Sequence, residues 1–148
     1  MDDTMGIFDL FGKRDVSGSL GKKMPYAIRT EFVPYKLKAK ERSSSSFVVT
    51  IKNLTGEPVV SSLVIDVPKQ LSLDSTGISK QKELRLGTLA PDESKETKTE
   101  VFGDVGTDSG EYTITLTAFI HYRDYAHVLN AMKKRVVIEA VERREQRE

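Results

Sequence analysis

The sequence predicts an all-β fold, a sandwich of seven antiparallel strands around one core. Three observations predict it. From Gly110 to Tyr122, the residues Tyr112, Ile114, Leu116, Ala118, Ile120 and Tyr122 alternate with Glu111, Thr113, Thr115, Thr117, Phe119 and His121. A period of two sustained that long, in β-branched and aromatic residues, marks a long strand with one buried face, and it belongs at the centre of a sheet. Other β-rich runs recur along the chain with turn residues between them, at roughly 10–15-residue spacing. Little helix is indicated: helical spacing is noted only after Tyr122, where Tyr125, Val128, Leu129 and Met132 stand at i, i+3, i+4 and i+7.

Residues 1–25 carry Gly6, Gly12, Gly18 and Gly21 and are set apart as a leader. Within it, Ile7, Phe8, Leu10 and Phe11 form a short apolar cluster ahead of Lys13 and Arg14. One reading is a leader that collapses locally. The other is an amphipathic anchor of one or two turns that docks on a partner or a membrane surface, folding only on contact because so short a helix is marginal in water.

The main body, residues 26–141, opens with a strand over Tyr26–Lys40, where Ile28, Thr30 and Phe32 share a face. Pro34 has no amide donor, so it kinks this strand or places it at an edge. Lys36, Lys38 and Lys40 alternate along it, a pattern that blocks edge-to-edge pairing. After a serine-rich turn over 42–46, Phe47–Asn53 is a strand with Phe47, Val49 and Ile51 inward. Asn53-Leu-Thr-Gly-Glu-Pro58 is a turn, so the glycosylation-like Asn53-Leu54-Thr55 is read as a turn cap. Val59–Val67 is apolar on both rows and lies inside its sheet. Glu83–Leu89 is a short strand, and Lys95–Phe102 is polar at alternate positions, as at an edge.

After the organising strand, a short helix or structured loop is expected over 124–131. A strand then follows at Val136-Val-Ile138, with one continuous helix over 124–147 as the competing reading. Residues 142–148 form a mixed-charge tail that frays.

Composition bounds function. With 148 residues, 38% hydrophobic and 30% charged, the chain is globular and long enough for one core. A formal net charge of +1 gives no bulk attraction to nucleic acid, so no nucleic-acid partner is expected. There is no cysteine, which excludes disulfides, thiolate nucleophiles and cysteine-held metals. No export signal and no run of ~20 apolar residues is seen, and the expected location is cytoplasmic.

A local signal refines the fold. Asp108-Ser-Gly110-Glu-Tyr112-Thr-Ile114 resembles the corner before strand F of immunoglobulin-like domains, where a Tyr bonds back to the upstream backbone two residues before the inter-sheet cysteine. Here Ile114 holds the cysteine position, and Leu63 or Ile65 stands where those domains keep a core tryptophan. From about Ser43 to Val141 the pattern resembles the cell-adhesion-related (CARDB-type) and adaptin-ear-like group of these sandwiches. The carrying residues are Phe47-Val-Val-Thr-Ile-Lys-Asn-Leu-Thr55, Leu86-Gly-Thr-Leu-Ala-Pro-Asp-Glu-Ser94 and Gly110-Glu-Tyr-Thr-Ile-Thr-Leu116. The resemblance implies a fold and no particular function.

No phosphate-binding glycine loop, metal motif or nucleophile elbow occurs, so no cofactor, metal or catalysis is expected. His121 and His127 are read as surface or rim residues. An enzyme would need His121, Asp124 and another polar group to converge in a deep pocket. The expected role is a protein-interaction or structural module that binds a protein partner or itself, with membrane association through the leader as the alternative. The candidate partner-binding residues are Phe119 and His121 on the outer face of the long strand, and Ile7, Phe8 and Phe11 in the leader. Phe119 is either covered by the segment Tyr125–Met132 or held for a partner.

Overall fold

The computed structural model describes residues 24–142. Eight strands occupy them: β1 (Tyr26–Val33), β2 (Lys36–Lys38), β3 (Ser43–Asn53), β4 (Val59–Asp66), β5 (Gln81–Leu89), β6 (Ser94–Gly103), β7 (Gly110–His121) and β8 (Val128–Val141). One sheet has the order β1-β3-β6 and the other β2-β8-β7-β4-β5. All ladders are antiparallel except that of β2 with β8. The architecture is that of an immunoglobulin-like sandwich, with β7 in the middle of the five-stranded sheet as its alternation requires.

The count is eight and not seven because the first strand divides at Pro34. β1 pairs with β3 as far as Val33, and β2 pairs with β8 from Lys36, so the chain changes sheets between them. The imino acid cannot donate to either ladder. β3 also starts earlier than the serine-rich turn suggested. Ser43–Ser46 pair with Glu100–Gly103 of β6, and Ser45 turns inward to donate its hydroxyl to the Pro34 carbonyl.

Ile114, Leu116 and Ala118 of β7 are fully buried between the sheets, facing a shared core with Phe47, Val49, Ile51, Leu63, Ile65 and Leu89. Tyr26 crosses this interior. Its phenol bonds to the Ser61 hydroxyl and donates to the Phe119 carbonyl at 3.0 Å, tying β1 to β4 and β7. Burial pushes the phenol pKa up, against the Ser61 hydrogen bond. Tyr112 donates to the Asp108 carbonyl at 2.7 Å, so the corner before β7 closes as its sequence implied.

The turn after β3 is built around Asn53, which is fully buried. Its Nδ2 donates to the Glu57 and Leu89 carbonyls at 2.8 and 3.0 Å. Its Oδ1 accepts from the Thr55 amide and hydroxyl at 2.8 and 2.7 Å. The side chain is a cap, and none of its amide is left for a glycan.

No helix occurs among the described residues. Of the two forms expected over 124–131, the structured loop is the one present, and it is shorter than expected. The Tyr122 amide donates to the His127 carbonyl at 2.9 Å, and the His127 amide to the Asp124 carbonyl at 3.2 Å. Arg123 takes a positive φ of 73° to make the reversal. β8 then runs against β7 from Val128 to Val141, so the continuous-helix reading is overturned. The helical spacing of Tyr125, Val128, Leu129 and Met132 is outweighed by the ladder that the adjacent strand offers. Tyr122 falls beyond the strand and is 49% exposed, not part of the inner row.

Candidate interaction surface

The outer face of β7 presents Thr113, Thr115, Thr117, Phe119 and His121 in one row. Val64, Ser62 and Val60 of β4 stand opposite Thr117, Phe119 and His121. On the other side Val137, Arg135, Lys133 and Ala131 of β8 stand opposite Thr113, Thr115, Thr117 and Phe119.

His121 does not lie on the surface. It is 6% exposed, because the β7–β8 loop folds back and sets the Tyr125 ring edge-on to the imidazole at 5.0 Å. Phe119 flanks it at 6.1 Å and is itself half-buried. Tyr125 is held from β5. Its phenol oxygen accepts the Gly87 amide at 2.9 Å, and the Arg85 guanidinium sits 4.6 Å from its ring centre. Gly87 has φ of +76° beside the register shift between Ser61 and Ser62, a conformation that glycine adopts without strain. That bulge turns its amide toward the tyrosine. Sequence reasoning missed this clamp, since Gly87 and Tyr125 are 38 residues apart and nothing local to either one ties it to the other.

His121 Nε2 and Ser62 Oγ lie 2.7 Å apart, a spacing seen between nucleophile and base. The surroundings do not extend it into a triad. Ser62 is 1% exposed, and His121 Nδ1, where an orienting carboxylate would sit, is buried without a partner among the described residues. Asp124 is spent elsewhere. It accepts from His127 Nδ1 at 2.7 Å and from the Ala126 amide at 3.0 Å, and the His127 bond, first of its causes, holds its carboxyl below the usual range. Among the described residues no three His, Asp or Glu side chains gather as metal ligands.

An open cleft of about 580 Å³ lies at the end of the sandwich where β7 begins, lined in part by Arg42, Ser72, Thr76, Lys80 and Phe102. Its cations brace the 69–80 connection. Lys80 donates to the Lys69 and Leu71 carbonyls, and Arg42 to the Ser75 carbonyl at 3.3 Å. Asp74 pins the same connection through Gly77, Ile78 and Thr76.

The exposed apolar side chains around the β7–β8 hairpin are Tyr122, Val128 and Leu129, the last two 54% and 64% exposed, with Val137 further along β8 at 52%. Ile7, Phe8 and Phe11 lie outside the described residues.

No protein-family model matches the chain, and no curated protein matches it. A mutant Salmonella alpha-2-macroglobulin is similar to it in structure, with a TM-score of 0.58 and 20% identity over 80% of this chain and 7% of that one. The ASH/PapD-like domain of human CEP192 aligns at a TM-score of 0.45 and 14% identity, over 84% of this chain and 92% of that domain. The chain thus spans a small part of the macroglobulin, and the likeness defines a fold class: an immunoglobulin-like β-sandwich domain.

Proposed function

We propose that this domain is a non-catalytic protein-interaction module that works in the cytoplasm and engages its partner along the β7–β8 side of the large sheet. The observation that carries the reading is the grouping of exposed Tyr122, Val128 and Leu129 at the end of one hairpin, near a half-buried Phe119. Apolar side chains gathered on one element are unfavourable in water and suit a contact surface. Sandwiches of this class host many roles, and their sheet faces and edges serve as binding surfaces. The finer kinship to the CARDB-type and adaptin-ear-like group is supported by the capped Asn53 turn and the Tyr112 corner.

Identification of what co-purifies with the native full chain, beside a Leu129→Asp variant, tests the reading. The expected result is a reproducible protein partner, lost from the variant while its melting temperature holds. A bare monomer in sedimentation, with nothing co-purifying, contradicts it.

A further inference from the structure

β8 is the long strand whose outer edge is largely unoccupied. Among the described residues β2 pairs with it only at Glu139, Ala140 and Val141, while β7 pairs with it from Val128 onward. Parity identifies the groups left over. The Val141 carbonyl accepts the Ala39 amide at 2.7 Å, so Val141 turns its backbone groups away from β7. Backbone groups in a strand alternate between its two edges, so Val137, Arg135, Lys133 and Ala131 turn theirs the same way. The Ala131 amide is capped by Asn130 Oδ1 at 2.8 Å. The amides and carbonyls of Lys133, Arg135 and Val137 face outward with no strand partner among the described residues.

The chemistry of the edge selects its complement. Lys133 and Arg135 are exposed on the outer face and form no ion pair among the described residues. On the inner face of β8, Met132 and Val136 are only partly buried, as are Ile28 and Phe32 of β1, the edge strand of the other sheet. Lys134 spans the two edges by donating to the Ile28 carbonyl at 3.0 Å. Edge cations of this kind repel a second copy, because an antiparallel self-pairing centred on 133–135 sets like charges opposite each other.

We propose that this edge receives an extended acidic segment of a partner protein as a sixth strand of the large sheet, with carboxylates facing Lys133 and Arg135 and apolar residues turned toward Met132 and Val136. This rests on the reading of the domain as an interaction module. It names the partner's chemistry, and main-chain pairing with alternate side-chain recognition is how such a strand would bind.

The test titrates the isotope-labelled full chain with a synthetic peptide of alternating Glu or Asp and Val, with the Lys-Val analogue as control. Saturable binding of the acidic peptide is expected, with slowed exchange at the Lys133, Arg135 and Val137 amides. Lys133→Glu with Arg135→Glu should weaken it about tenfold or more, by like-charge repulsion on an exposed face that leaves folding intact. Equal binding of both peptides, no binding, or binding that protects other strands overturns the proposal. So does edge protection already present in the free protein, if it depends on protein concentration (a second copy) or vanishes when residues 1–20 are removed (its own leader). The module reading is judged separately by the co-purification experiment, so either can fail alone.

Discussion

The phenol of Tyr112 donates to the carbonyl oxygen of Asp108, four residues upstream, at 2.7 Å, and so fixes the loop that feeds the central strand. A neutral hydrogen bond of this kind contributes about 0.5–1.5 kcal/mol. Tyr112→Phe should lower stability by about that amount in denaturant unfolding, with the slope unchanged. An unaltered midpoint would mean that the corner is held by packing alone.

Asn53 is a stronger case, because its side chain is fully buried and one of its partners, the Leu89 carbonyl, lies in the interior. Asn53→Ala leaves the Leu89 carbonyl without its 3.0 Å donor and the Thr55 amide without its acceptor. The cost should be about 2 kcal/mol or more, since a buried polar group left unpaired costs about 1–3 kcal/mol. Calorimetry of the variant would measure it, and a loss under a few tenths would show that water replaces the side chain.

These two turns were legible in advance because each is written in adjacent residues, Asp108 to Tyr112 and Asn53 to Pro58. The inward row of Ile114, Leu116 and Ala118 was legible for the same reason, a period visible in one stretch. What was not legible depends on distant parts of the chain. Burial of His121 requires Tyr125 to be anchored by Gly87, and the start of β8 at Val128 depends on β7 offering its edge. Ser43–Ser46 looked like a turn because serine competes for backbone bonds, yet β6 supplies them a ladder. Pro34 announced a break, and the change of sheet that follows is a tertiary fact.

Ser62 and His121 should be energetically coupled. In a double-mutant cycle of Ser62→Ala and His121→Phe, a coupling energy of about 1 kcal/mol is expected from their 2.7 Å bond. No hydrolysis of activated esters should accompany the pair, given a serine that is 1% exposed. Esterase activity lost from both single variants would overturn the structural role.

Asp74 predicts an acid dependence. Desolvation pushes its carboxyl up, but hydrogen bonds from the Thr76 hydroxyl and the Ser79, Ile78 and Gly77 amides outweigh it and hold the folded pKa below the ordinary value. A depressed carboxylate pKa stabilises the fold above the unfolded value of about 4, and that contribution is lost as pH falls through the lower folded value. Asp74→Asn should therefore flatten the acid limb of the stability curve below about pH 4 and leave its shape near neutrality unchanged. Parallel curves for the two proteins would show that Asp74 does not respond to folding.

The central claim is that residues 128–141 form a strand with one edge on β7 and the other largely open, and amide hydrogen exchange in the full-length protein tests it most directly. The account predicts slow exchange at Met132, Lys134, Val136 and Ile138, which face β7, and fast exchange at Lys133, Arg135 and Val137 between them. Uniform protection from Val128 through Val141, with helical carbon shifts, would contradict it.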